Sequence, residues 1–177
     1  MSKSCCCQQP QQNPDVYAAN NGLVVASDQL TFLYNRVAAG GAPITAAEII
    51  DLNCVSPESQ ITGGPFPSTP GPFPPPTFQV TSYGIQANAE YIAEIYNSYA
   101  AAFPGSIRRA PKRYVKINSI GNGLGVIQGR VEFVDQLGNI VAAINYNGII
   151  FMPNNGNTLL KYVSIVSNNA ANNIQPE

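Results

Sequence analysis

The apolar period changes once along this chain, and that change limits the fold more than any other feature. From Arg113 onward, "RYVKINSI", "GVIQGRVEFV", "NIVAAINYNGIIFM" and "TLLKYVSIVS" alternate apolar and polar residues and read as strands. Ahead of them, "YGIQANAEYIAEIYNSYAAAFPG" has a helical period. Ile85, Ala89, Ile92, Ile95, Tyr96, Tyr99 and Phe103 form one stripe, which Pro104-Gly105 ends. A segment with one period does not settle in the other structure. Helices first and strands afterwards predict an α+β domain: an N-terminal arm and helices, then an antiparallel β-meander of about four strands, in a single compact domain.

Local signals fill in this frame. "SDQLTFLYNRVAAGG" places Leu30, Leu33, Tyr34 and Val37 at helical spacing, with Ser27 as N-cap and Gly40-Gly41 as stop. "TAAEIIDLNC" carries a capping box, Thr45 with Glu48, and delivers Cys54 to the end of a short helix. "DQLGN" at 135–139 is a hairpin turn with Gly138 available for a positive φ, so Val131 and Phe133 face Ile140, Ala142 and Ile144 across it. "PNNGN" at 153–157 makes the next turn.

The domain reading is an extended Cys-bearing arm over 1–22, then one α+β domain over 23–177 with a Pro-rich loop at 55–78. The arm has no apolar period, and Pro10, Pro14 and an Asn-Asn-Gly turn signal interrupt it. The loop repeats "GPFP" and favours extended polyproline II, with Phe66 and Phe73 as its large apolar side chains. It reads either as a strap over its own domain or as an interface that docks those two rings on a neighbour.

Composition narrows the chemistry. Charged residues are 11 % of the chain against about 25 % in ordinary domains, and the net charge is −1. Such a surface suits close association with copies of itself. The chain has no histidine, which removes the usual general base and the commonest metal ligand. Glu90 and Glu94 lie four apart on the long helix and read as solvent-facing, not as a catalytic pair. "GNGLG" at 121–125 lacks a strand-then-helix context and reads as a turn or bulge. No cofactor or metal is expected.

Two clusters remain. Arg108, Arg109, Lys112, Arg113 and Lys116 make a possible basic patch at the corner between long helix and first strand, without the basic-aromatic pattern of a nucleic-acid surface. Cys5, Cys6 and Cys7 stand side by side on the arm, and Cys54 is the one other thiol. Adjacent cysteines rarely bond to each other, so the four read as intersubunit cross-links.

The expected function is therefore a non-enzymatic structural protein that self-assembles into a virion or capsid layer, a tube or a surface fibre. Its partners are copies of itself, with nucleic acid unlikely and a membrane reached only through acylated cysteines. The alternative is an S-acylated, membrane-tethered or soluble binding module. The organisation, a Cys-bearing connector ahead of a compact domain, is similar to that of bacterial endospore-appendage subunits. The N-terminus has no apolar signal segment, so synthesis in a cytoplasm is expected, with a virion or an extracellular or spore surface as destination.

Overall fold

The computed structural model describes residues 14–64, 80–111, 116–151 and 159–168. Its elements run α1 (Pro14–Ala38), α2 (Ala46–Asp51), β1 (Val55–Gly64), β2 (Val80–Tyr83), α3 (Gly84–Ala102), β3 (Ile107–Arg109), β4 (Lys116–Gly121), β5 (Leu124–Val134), β6 (Ile140–Phe151) and β7 (Leu159–Asn168). The expected α+β class is correct. Cys5, Cys6, Cys7, Phe66, Phe73, Lys112 and Arg113 lie outside the described residues.

The expected meander is present. β4, β5, β6 and β7 pair antiparallel in sequence order. Asp135 closes the hairpin between β5 and β6 by accepting the amides of Leu137 (2.9 Å) and Asn139 (2.8 Å), with Gly138 at φ +88°. Val131 faces Ile144 and Phe133 faces Ala142.

The sheet is wider than the meander. Its order is β2-β1-β7-β6-β5-β3, with β4 also pairing β5. β1 falls in the first part of the expected loop and lies parallel to β7. Pro57 is tolerated there because the ladder skips from Val55 to Gln60, so a bulge takes up the residue that cannot donate.

α1 starts at Pro14, not near Ser27, so residues 14–22 of the expected extended arm are helical. Proline suits the first helical position, where its missing amide is no loss. Ser27 is no cap; its carbonyl accepts from the Thr31 hydroxyl at 2.8 Å within the helix. The C-terminus of α1 closes as foreseen: Gly40 at φ +88° donates to the Val37 carbonyl and Gly41 to that of Arg36, a Schellman pair.

The capping box at Thr45 forms, and Arg36 adds a forked ion pair to the same Glu48, at 2.6 and 3.1 Å. Asn97 on α3 holds the segment ahead of α2 by donating to the Ile44 carbonyl and accepting its amide. Asn88, fully buried on α3, donates to the Ser59 carbonyl and hydroxyl and accepts from Ser82, tying that helix to β1 and β2.

α3 buries the predicted stripe at Ala89, Ile92, Ile95, Tyr96 and Tyr99, while Glu90 and Glu94 stay exposed. The core forms between the three helices and one face of the sheet, here the inner face. Phe133 is its hub: it stacks on Tyr99 at 4.4 Å and meets Tyr34 at 4.8 Å and Tyr96 at 6.2 Å between ring centroids.

Candidate ligand-binding site

Register decides which side chains reach the inner face. Arg108 pairs with Phe133 and Arg109 with Glu132, so consecutive residues of β3 point to opposite faces. The basic patch expected from sequence is therefore not one surface. Arg108 goes inward and is 3 % exposed. Arg109 is half-exposed on the outer face and pairs at 2.8 Å with Glu132. Arg130 meets the same buried carboxylate at 3.1 Å. Lys116 is exposed on β4.

Arg108 is held by neutral groups. Its Nε donates to the Tyr96 hydroxyl at 3.4 Å, and its Nη1 donates to the Ser27 carbonyl at 2.8 Å, the Ser27 hydroxyl at 3.1 Å and the Thr31 hydroxyl. The guanidinium also lies over the Tyr96 ring, 5.4 Å from its centre. Its backbone amide donates to the Asn35 side chain. Nη2 makes no hydrogen bond among the described residues. No carboxylate pairs with Arg108 there either: the ion pairs are Arg36 with Glu48, and Arg109 and Arg130 with Glu132. A buried cation without an anion is costly, and proteins rarely leave one so.

Two further tyrosine hydroxyls belong to the same core. Tyr34 shares a 2.6 Å hydrogen bond with Ser106, and burial pushes its phenol up to about 12. Tyr146 is pushed up to about 12, by burial first and then by Tyr96, while the nearby Arg108 charge acts the other way. Both are neutral hydroxyls at physiological pH. Tyr146 lies across Gly129, its cross-strand partner, in the space a Cβ would fill.

Burial is uneven along the inner face, where Ile127 and Ile150 beyond Gly129 are as covered as Phe133. Phe133 and Val131 are covered, whereas Gly129, Tyr146 and Ile117 are only partly so. Tyr146 packs on the main core and also on a second apolar cluster built from Ile127 and Ile150.

The remaining sequence candidates do not join this site. Cys54 is half-buried against the core, a free thiol that burial pushes up to about 11. That is the opposite of the exposed, reactive thiol a cross-link requires. The described residues contain no group of three or more His, Cys, Asp or Glu placed to hold a metal ion. Among the described residues no helix is long and apolar enough to cross a membrane, which leaves β-barrel spans unaddressed.

No family model matches the chain, and no curated protein matches it. Solved structures do. An NTF-2 like protein of unknown function from Pseudomonas aeruginosa aligns with TM-score 0.53 at 10 % identity, over 85 % of this chain and 98 % of that one. A hexachlorocyclohexane dehydrochlorinase from Novosphingobium barchaimii aligns with TM-score 0.52 at 10 % identity, over 92 % and 98 %. A domain of unknown function with a cystatin-like fold from Nostoc punctiforme aligns with TM-score 0.52 at 8 % identity, over 84 % and 76 %. The chain has the NTF2-like, cystatin-like fold.

That fold overturns the reading of a self-assembling structural protein. The neighbours are NTF2-like domains and an enzyme, not capsid, virion, tube or fibre subunits. The likeness to endospore-appendage subunits falls with it, since it rested on the Cys-bearing arm alone. The expectation that the chain is no enzyme also loses its footing, because the same fold carries a dehydrochlorinase.

Proposed function

We propose that the chain is a small-molecule binding module whose ligand is an organic anion held by Arg108 on the inner face of the sheet. The observation that carries this reading is Arg108, a residue 3 % exposed whose guanidinium is set among neutral oxygens, with Nη2 unbonded and no carboxylate paired to it among the described residues. A carboxylate ligand would supply the missing charge. It would meet a planar fork suited to it.

The fold neighbour named as a dehydrochlorinase supports a small organic ligand, since hexachlorocyclohexane is one. The residues favour binding over acid-base chemistry. The chain has no histidine, and among the described residues no carboxylate stands beside Arg108.

Titration of the folded protein with acetate, benzoate and octanoate, followed by calorimetry and tyrosine fluorescence, tests the reading. Arg108→Gln should weaken binding at least tenfold, and Arg108→Lys should retain part of it. Thermal melts of both variants show that they are folded. Absence of binding by all three acids, or equal binding by wild type and Arg108→Gln, would sink the proposal.

A further inference from the structure

Arg108 is deep, Tyr146 is partly buried on the same face of the sheet, and Ile117, also partly buried, packs with Tyr146 on the covered pair Ile127 and Ile150. The strand register sets these residues along one face of the sheet as a path in the order charge, ring, aliphatic side chains. α1 runs along the same face and contacts both β3 and β4, so the path lies between a helix and the sheet.

We infer that the anion is amphipathic, a carboxylate of fatty-acid type that enters head first. Its carboxylate sits at Arg108 and its apolar tail lies along Tyr146 and Ile117, with Tyr146 as the specificity-determining residue for tail length. This inference rests on the Arg108 reading above.

Three features support it. The face beyond Arg108 has no charged group on β5 or β6: the inward positions there are Gly125, Ile127, Gly129, Val131 and Phe133, opposite Ile150, Gly148, Tyr146, Ile144 and Ala142. A small hydrophilic anion would gain nothing from that surface. Tyr146 is also only partly buried, although it is on the helix-covered face. Finally, the ring has its position only because Gly129 lacks a Cβ, whose place the Cζ and hydroxyl atoms occupy within 2.2 Å.

The experiment is a chain-length series, acetate, butyrate, octanoate and dodecanoate, on wild type, Gly129→Ala and Tyr146→Leu. In wild type the affinity should rise by roughly a few-fold per methylene before it levels off. Gly129→Ala displaces the ring into the tail path, so the ratio of dodecanoate to acetate affinity should drop at least tenfold. Tyr146→Leu removes the ring and should move the plateau to a longer acid; it keeps the test decisive should Gly129→Ala fold poorly. A flat series in wild type, with acetate binding intact, overturns the tail site and leaves the Arg108 reading standing. A series that both variants leave unchanged overturns the role of Tyr146. If no acid binds at all, the Arg108 reading fails and this inference fails with it.

Discussion

Tyr146 fills the space of a missing side chain at Gly129: its Cζ and hydroxyl both lie 2.2 Å from the point a Cβ would occupy. The two residues are direct cross-strand partners, so neither can move away along the strand. An added methyl must push the ring tip aside. Gly129→Ala should therefore cost about 1–3 kcal/mol, as overpacking does. Tyr146→Leu removes the atoms that clash, so the double variant should be less destabilised than the two single effects combined. Urea midpoints of the four proteins measure the coupling. Strict additivity would mean that the ring does not occupy that space.

Asn88 is the polar joint of α3 with the strand pair β1–β2. Its amide donates to the Ser59 carbonyl at 2.8 Å and to the Ser59 hydroxyl at 2.7 Å, and its carbonyl accepts from Ser82. Asn88→Ala leaves buried partners unsatisfied and should cost about 2–3 kcal/mol. Asn88→Asp keeps the shape and the acceptor for Ser82 but loses both donated bonds. It should be as damaging as alanine, or more so, in a denaturant titration at neutral pH. A near-neutral Asn88→Asp would show that the donated bonds contribute nothing.

Much of the fold was legible because its signals are local. The stripe from Ile85 to Phe103, the capping box at Thr45 and the turn at Asp135 each depend on residues a few positions apart. β1 was hidden because Pro57 argues against a strand; only the parallel partner β7, about a hundred residues away, makes the bulge around it worthwhile. The start of α1 was hidden because "AANNG" has no apolar period. The site was half-visible. Tyr96 belonged to the helix stripe. Arg108 sits in a basic run in the sequence, although the alternation "IRR" at 107–109 already sends the two arginines to opposite faces. Which one faces Phe133 depends on pairing with β5, which the short segment does not encode by itself.

Cys54 should be unreactive in the folded protein. Burial raises its thiol to about 11, so at pH 8 roughly one molecule in a thousand carries the thiolate, against a sizeable fraction for a free cysteine. Labelling with a maleimide or disulfide reagent, followed at the Cys54 peptide by mass spectrometry, should be slow in buffer and fast in guanidinium. Reading the Cys54 peptide alone keeps Cys5, Cys6 and Cys7 out of the measurement. Rapid native labelling would show that the thiol is open and would restore it as a candidate for cross-linking.

The pair Arg36–Glu48 should show itself through pH. Arg36 donates to both carboxylate oxygens, which is the main reason why the Glu48 carboxyl is lowered from 4.5 to about 2; the Thr45 amide adds to it. A folded value below the unfolded one means that the pair stabilises the protein fully above about 4.5 and loses that contribution as the pH falls toward 2. Both side chains are about 30 % exposed, so solvent screens the pair and its contribution is about 0.5–1 kcal/mol, not what the shift alone would suggest. Glu48→Gln isolates it, because glutamine still accepts at the N-cap and preserves the capping box while the charge is gone. Urea midpoints of wild type and Glu48→Gln should differ at pH 7 and converge steadily from pH 4.5 to pH 2.5. Added salt at pH 7 should narrow the gap as well. A gap that stays constant across that acid range would show that the charge of Glu48 does not carry the difference.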